Sequence, residues 1–355
     1  MNTSSKGIAS EGKLRLEKYN GTAYSYLTME HYFLCPKCKS KTLLPHCDTC
    51  GYEIPVADSI YRFCDDASVK LDGDKQYIGY DNIGENFEPE VTYWDANNID
   101  RYGVYSACGD LIAKKFGTQL SVLDLGAGLG TASIPLAKNG IYTVAADISA
   151  IMLATAVKRA KGLYDNLILA QMNAYDIMLP DNSMDIVVEN AMLHLVDEPE
   201  LVIKEIYRVL KPGGKLIRYG SPGLPVTEAE ADQNMRCNAV LSDISNCYFN
   251  YLETHGYRSA AFNVDYRAVL SQYFEAPYNE IADGFEEVFT DKMKFRLHRL
   301  KTGAHSDLQS TPRKLIDAAW RSADEYAREK YGDGYTEIKS FSRYGAALDI
   351  YTVKK

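Results

Sequence analysis

The sequence has no long hydrophobic run, no apolar segment near its start and no excess of positive charge. No stretch of about 18 apolar residues occurs, so we expect no transmembrane helix and no membrane partner. Residues 1–20 lack the apolar centre of a secretory signal. The formal net charge is −9, whereas a general nucleic-acid-binding surface is usually basic. These features favour a cytoplasmic protein with a small-molecule partner, although a basic patch can hide in the sum.

The eight cysteines do not indicate a disulfide framework, because a chain of 355 residues can bury a full core without cross-links. A reducing compartment is the simplest setting for them. A chain of 355 residues is long enough for one large domain and one small one.

Four of the cysteines have the spacing of a metal site, C-x₂-C-x₈-C-x₂-C. They are Cys35, Cys38, Cys47 and Cys50. Each C-x₂-C pair places two thiolates on one tight turn, and two such turns complete a tetrahedral Zn²⁺ site. Four protein ligands leave no open position, so the expected zinc is structural and largely folds a ribbon over residues 31–64. A redox-active dithiol pair is the alternative.

The chain is organised around Val122–Gly130, VLDLGAGLG. Apolar residues surround Asp124 and predict a short buried strand. Gly126, Gly128 and Gly130 then form a turn that a ligand can approach closely, and a helix follows. Strand, glycine turn and helix form the ligand-binding corner of a doubly wound α/β sheet. A plain strand–helix turn is the alternative.

Three further segments sharpen this interpretation. A second apolar strand, 141–146, ends at Asp147, whose carboxylate suits two vicinal ribose hydroxyls. The segments LPDNSMDIVVENAMLHL, 179–195, and YRVLKPGGKLI, 207–217, follow in order. With these motifs, Val122–Ile217 resembles the class I S-adenosylmethionine-dependent methyltransferases of the small-molecule type.

This resemblance implies an α/β fold with a doubly wound, seven-stranded, mostly parallel sheet, and S-adenosyl-L-methionine as co-substrate. It implies that Asp124 orients the glycine turn and the cofactor's amino group, and that Asp147 binds the ribose. The turn residues expected at the methionine part are Gly126, Ala127, Gly128 and Gly130. The other expected cofactor residues are Ile148, Asn173, Ala174 and Asn190. Asn173 stands where the family usually has aspartate, so its contact with the adenine amino group lacks charge.

The rest of the chain is divided around this cofactor half. We expect a tail over residues 1–30, a connector that covers the cofactor over 65–118, and the methyltransferase domain over 119–355. A minimal domain needs one crossover helix after the fifth strand, so residues 221–310 are interpreted as a helical lid insertion. A homodimerisation element is the alternative for this insertion. Glu337–Phe341 and Ala346–Val353 predict a final hairpin with an antiparallel last strand.

Two residues near the end of the fourth strand are candidates for catalysis. Methyl transfer mainly requires positioning and the exclusion of water, and a general base helps with a hydroxyl or acidic carbon. His194 is the first candidate because an imidazole titrates near neutrality, and Glu189 is the second. A structural or substrate-orienting role is the alternative for His194.

Three functions remain open at this point. The leading hypothesis is methyl transfer to the O, N or C of a small molecule in secondary metabolism. A zinc ribbon before such a domain also resembles the guanine-N1 methyltransferases of large-subunit ribosomal RNA, so RNA-base methylation is the second. A cofactor-binding scaffold without catalysis is the third, and the intact glycine turn and Asp147 weigh against it.

Overall fold

The computed structural model describes residues 32–64, 103–162, 165–257, 265–308 and 311–355. All of them belong to one unit, Tyr32–Lys355. The predicted tail, 1–30, and residues 65–102 of the predicted connector lie outside the described residues. None of the helices in the described part of the chain has the length and hydropathy of a membrane span.

Short strands in the cysteine-rich segment are followed by alternating helices and strands, which confirms the predicted α/β class. The short strands are β1 (Phe33–Leu34), β2 (Lys41–Thr42), β3 (Val56–Ala57) and β4 (Ile60–Arg62). The alternating part comprises α1 (Gly103–Phe116), β5 (Ser121–Leu125), α2 (Ser133–Lys138), β6 (Tyr142–Asp147), α3 (Ala150–Ala160), β7 (Leu167–Gln171), β8 (Met184–Glu189), α4 (Pro199–Val209) and β9 (Leu210–Gly220).

The C-terminal part adds a long helix, several short ones and four more strands. These are α5 (Glu228–Thr254), α6 (Arg267–Tyr273), β10 (Tyr278–Ile281), β11 (Glu287–Lys292), α7 (Met293–Arg296), α8 (His298–Thr302), α9 (Arg313–Tyr331), β12 (Lys339–Tyr344) and β13 (Ala347–Thr352). Short 3₁₀ helices span Leu193–Leu195, Ser306–Leu308 and Asp333–Glu337.

The main sheet has nine strands rather than the predicted seven, in the order β10-β13-β9-β8-β5-β6-β7-β4-β3. The two additional strands, β4 and β3, come from the cysteine-rich segment. Strand β4 pairs in parallel with β7, where Tyr61 lies opposite Ala170, and β3 pairs with β4. The prediction failed because it treated the ribbon as a separate module, whereas its last hairpin extends the edge of the sheet.

Helices cover both faces of the sheet, so the architecture is doubly wound as predicted. On one face α1 and α2 pack through Cys108, Ile112 and Leu136 against alternate residues of the central strands. On the other face α4 packs through Ile203 and Ile206 in the largest core cluster. Because the central strands are buried on both faces, their carboxyl ends are the part of the sheet where a ligand can bind.

The predicted terminal hairpin is wrong in its pairing. Strand β12 pairs antiparallel with β11 in a separate two-stranded sheet. Strand β13 is antiparallel as predicted, but its neighbours are β9 and β10. The segment that was predicted as a helical insertion supplies two strands, β10 and β11. Strand β11 pairs with β12 and strand β10 pairs with β13, so the two strands of the predicted hairpin do not pair with each other.

Within residues 221–310, the 27-residue helix α5 begins with a capping box formed by Thr227 and Glu230. This helix packs against α9 around Ile244, Tyr248 and Leu252. The segment after α6 is mainly strands and short helices, so the insertion that was interpreted as helical is only partly helical.

Candidate cofactor and active site

The glycine turn follows β5 and lies at the carboxyl edge of the sheet. The N–H groups of Gly126 and Ala127 both donate to the carbonyl of Ala146 on β6, at 2.8 and 3.0 Å. Gly126 has a φ of 76°, and a Cβ there would lie 2.7 Å from Met192. A side chain at this position would therefore strain the backbone and displace Met192, so the turn needs glycine there.

Asp147, the last residue of β6, joins the glycine turn to the start of α3. Its Oδ2 accepts a hydrogen bond from Gly128 N, and its Oδ1 accepts one from Ser149 N, both at 2.8 Å. The Ser149 side chain in turn caps α3 by accepting from Met152 N. These two bonds orient the carboxylate, and a carboxylate accepts about four hydrogen bonds in all.

Asp124 lies beneath the turn and is almost fully buried, at 3% exposure. Its carboxylate accepts a short hydrogen bond from the hydroxyl of Ser133, at the start of α2. Burial raises the pKa of Asp124 to about 7, with the charges of Asp147 and Glu189 adding to the effect. The carboxyl ends of β5, β6 and β8 thus bring three acidic side chains within electrostatic range of one another.

Glu189 ends β8 and is fully buried. Its Oε1 accepts from Met192 N and Leu193 N, at 2.8 and 3.0 Å, and so holds the 3₁₀ turn that carries His194. Its Oε2 lies 3.0 Å from Arg218 Nε, but the pair does not meet with hydrogen-bond geometry. The Arg218 guanidinium also lies 5.3 Å from the ring centre of Tyr266.

His194 is half-buried on this turn. Burial lowers the pKa of His194 below its ordinary value, although the carboxylates of Glu189 and Asp307 act in the opposite direction. The imidazole is therefore neutral at pH 7, which is the form that accepts a proton.

Asn190 and Tyr219 form an unsatisfied polar pair at the ends of β8 and β9. The Asn190 Oδ1 accepts from the backbone N of Tyr219 at 2.7 Å. The Asn190 Nδ2 and the Tyr219 hydroxyl are buried and have no hydrogen-bond partner in the described part of the chain. The next residue, Ala191, has a φ of 58°, which is uncommon for a residue other than glycine. Orphaned donors and backbone strain together are typical of a ligand site.

The residues predicted at the adenine follow β6 and β7. Ile148, Asn173 and Ala174 are all partly buried, and the Oδ1 of Asn173 accepts from Tyr175 N at 3.0 Å. Asn173 lines a cavity of about 420 Å³ on the ribbon side of β7. The other lining residues are Pro36, Tyr52, Pro55, Arg62, Phe63, Cys64, Asp176 and Met178.

The four cysteines of the predicted metal site lie together, with all sulfur atoms within 4.8 Å of one another. The Sγ atoms of Cys35 and Cys50 are 3.6 Å apart, and those of Cys38 and Cys47 are 3.7 Å apart. In a tetrahedron with Zn–S bonds of about 2.3 Å, the sulfur atoms lie about 3.8 Å apart. The cluster is therefore compatible with a tetrahedral metal ion. The neighbouring His46 instead contacts Glu53 at 2.6 Å.

Sequence reasoning missed Ser133, Arg218 and Tyr219. Their positions carry a weak signal, since Arg218 and Tyr219 lie near the carboxyl end of a predicted strand at the ligand-binding edge.

Gly130, which was expected at the methionine part, lies close to the side chains of two helices: a Cβ there would lie 3.1 Å from Ile134 and 3.2 Å from Ala156. Its lack of a side chain allows α2 and α3 to pack closely.

Comparison with known families identifies the central part of the chain. Residues 123–218 match the family model described as methyltransferase domain. This segment is therefore similar to methyltransferase domains. It contains the glycine turn, Asp147, Glu189 and Arg218, so the match coincides with the site built above.

Curated relatives carry related names. The chain is 37% identical over 120 residues to the demethylmenaquinone methyltransferase of Clavibacter sepedonicus, covering 33% of this chain and 49% of that protein. It is 28% identical over 150 residues to the tRNA 5-carboxymethoxyuridine methyltransferase of Escherichia coli K12, covering 41% and 58%. It is 30% identical over 148 residues to a ubiquinone/menaquinone biosynthesis C-methyltransferase of Pectobacterium carotovorum, covering 38% and 57%. The chain thus spans about half the length of these relatives.

Proposed function

We propose that this protein transfers the methyl group of S-adenosyl-L-methionine to a small-molecule acceptor. The observation that carries the proposal is the carboxyl edge of the sheet, where the glycine turn, Asp147 and the unsatisfied pair Asn190 and Tyr219 lie side by side. The methyltransferase domain spans the same residues.

The residues at this edge fit the cofactor in their order along the sheet. Asp147 on β6 would accept from the ribose hydroxyls, with Ile148, Asn173 and Ala174 around the adenine. The methionine part of the cofactor would lie along the glycine turn after β5 and extend towards β8 and β9. There the two orphaned donors, Asn190 Nδ2 and the Tyr219 hydroxyl, suit the methionine carboxylate. The acidic groups Asp124, Asp147 and Glu189 favour a ligand that carries a sulfonium and an ammonium charge.

The acceptor would lie beyond β8, next to His194. The bound cofactor supplies an electrophilic methyl group, and the protein's part is to position the acceptor and exclude water. A neutral His194 can remove a proton from the acceptor. Glu189 would act mainly as a positioning residue, because one of its oxygens already accepts two backbone hydrogen bonds and the other faces Arg218.

The pairing of one basic run favours a small molecule over RNA as acceptor. This run, Lys292–Lys301, lies in the insertion and is a segment where RNA phosphates would bind if RNA were the acceptor. Lys292 and Lys294 both pair with Glu337, at 2.5 and 3.2 Å, and Arg296 donates to Asn238 at 2.8 Å. Side chains that are already paired lose these contacts when they bind phosphates, so the run is a poor RNA track.

Calorimetry with S-adenosylhomocysteine tests cofactor binding, and structured RNA at 50 and 200 mM salt tests the competing acceptor. We expect micromolar cofactor binding and RNA binding that is weak at both salt concentrations. Tight RNA binding that falls steeply with salt would reject the small-molecule acceptor and favour the ribosomal RNA alternative. Failure to bind the cofactor would reject methyl transfer, and cofactor binding without turnover of any acceptor would favour the inactive scaffold.

The proposed contact of Tyr219 with the methionine carboxylate gives a separate prediction. Tyr219→Phe removes one donor to a charged group, so S-adenosylhomocysteine should bind at least about tenfold more weakly. Binding of 5′-methylthioadenosine should not change, because that ligand lacks the amino-acid part. Equal loss for both ligands would contradict the assignment.

Tyr248→Phe is the matched control for this experiment. The Tyr248 hydroxyl is also buried without a partner in the described chain, but it lies in the core between α5 and α9. This variant should bind both ligands as the wild type does.

The proposal also includes a structural zinc ion held by Cys35, Cys38, Cys47 and Cys50. The sulfur separations and the exclusively thiolate donor set support it. Zinc would fix two turns of a segment that has only four strands of two or three residues. The predicted domain division, with 221–310 as the lid over the acceptor, is part of the same proposal.

A further inference from the structure

The cysteine-rich segment is built into the cofactor half of the molecule rather than attached to its surface. Phe33 and Phe63 stack with their ring centres 5.3 Å apart and belong to the same core cluster as Leu123 and Leu125 of β5. The backbone N of Leu34 donates to the carbonyl of Met178 at 2.9 Å. These contacts anchor the cysteine-rich segment to the core of the cofactor half.

The segment meets the main sheet next to the residues proposed to hold adenine. Strand β4 runs parallel to β7, and Arg62 lies opposite Gln171 in the register. Directly after this pair, Phe63 N donates to the carbonyl of Gln171 at 3.0 Å. The cavity described above lies between the ends of these two strands. Asn173 lines it on the side of β7, and Arg62, Phe63 and Cys64 line it on the side of the ribbon.

A partly buried hydrogen-bond chain connects the ribbon to Ile148, which is proposed to flank the adenine. Arg62 Nη1 donates to Gln171 Oε1 at 2.7 Å. Gln171 Nε2 donates to the carbonyl of Ile148 at 3.1 Å. Gln171 is only 2% exposed, so without Arg62 its Oε1 would lose a partner in a place where water has little access.

We propose that the ribbon completes the adenine side of the cofactor site, with Arg62 as a positioning residue that acts through Gln171 on Ile148. This inference rests on the proposed function, since it concerns the same cofactor. It assigns the ribbon a role in binding adenosine. The cavity of about 420 Å³ is within the size range of small-molecule sites and receives the edge of the adenine that faces the ribbon.

The test compares Arg62→Ala with Lys39→Gln. Lys39 also joins the ribbon to the body, by an exposed ion pair with Asp176 at 2.6 Å, but it has no link to Ile148. Arg62→Ala should weaken S-adenosylhomocysteine and 5′-methylthioadenosine alike, by about tenfold, because both contain adenosine. Lys39→Gln should bind both ligands normally, and Arg62→Lys should recover most of the loss by keeping a donor.

Metal content and ligand pattern separate the outcomes. If Arg62→Ala keeps its zinc and binds both ligands as tightly as the wild type, the inference is overturned while the proposed function stands. If Lys39→Gln weakens binding as much as Arg62→Ala does, general loosening of the ribbon explains the effect and the inference is also overturned. A wild-type protein that binds neither ligand overturns the proposed function itself.

Discussion

Replacing Asp147 with alanine is expected to weaken the binding of S-adenosylhomocysteine by at least about 100-fold. The carboxylate is proposed to accept two ribose hydroxyls, and a hydrogen bond to a charged group contributes roughly 1.5–3 kcal/mol. The substitution also removes the bonds that Asp147 accepts from Gly128 N and Ser149 N, so the glycine turn loses an anchor. Calorimetry with the purified variant measures the effect.

Asp185→Ala is the matched control for this prediction. Asp185 also accepts a hydrogen bond from a backbone N–H, that of Ser121 at 2.9 Å, but at the opposite, amino edge of β5. Its loss should leave cofactor affinity unchanged. Asp147→Asn should lie between alanine and the wild type, because the amide keeps one acceptor and loses the charge. Unchanged affinity in a folded Asp147→Ala protein would exclude the ribose assignment.

The features that could be predicted from the sequence are those whose physical cause is local. The glycine turn and Asp147 lie within one strand–turn–helix–strand segment, where each residue type follows from the turn or the strand end beside it. The capping box of Thr227 and Glu230 is local in the same sense, since both partners lie within one helical turn.

The junction of the ribbon with the main sheet could not be predicted in this way. The bond between Arg62 and Gln171 joins residues 109 positions apart. Strand β4 has only three residues, too few for an alternating pattern that would identify it as part of a sheet. The same limit applies to Tyr219, because nothing in its neighbourhood along the chain indicates that its hydroxyl is buried without a hydrogen-bond partner in the described part of the chain.

The terminal hairpin failed for a different reason. The chain does turn between two strands, β12 and β13, but only Gly345 and Ala346 separate them, because Ser342, Arg343 and Tyr344 of the predicted turn belong to β12. The two strands do not pair with each other: β12 pairs with β11, and β13 pairs with β9 and β10. Strand pairing depends on which other strands are available, and the strands of the insertion were not recognised.

Removal of the metal is expected to have the second large effect, because the ribbon's few strands cannot fold alone. The purified protein should contain one zinc ion per chain, and Cys47→Ser should lose it. Zinc binding contributes about 10–16 kcal/mol in small zinc domains, so its loss should unfold the ribbon. Since Phe33, Ile54 and Phe63 belong to the main core cluster, the unfolding should also lower the melting temperature and open residues 32–64 to proteolysis.

Cys247→Ser provides the comparison for the zinc experiment. Cys247 is a partly buried free thiol on α5, outside the cysteine cluster, and its sulfur donates to the carbonyl of Ser322 at 3.8 Å. A serine there keeps a donor, so this variant should retain zinc and resist proteolysis as the wild type does. Because β4 positions Arg62 for its hydrogen bond to Gln171, unfolding of the ribbon breaks this bond, and the Cys47→Ser protein should also bind adenosine ligands more weakly. A folded wild-type protein that contains no metal, or a Cys47→Ser protein with an intact ribbon, would contradict the structural role of zinc.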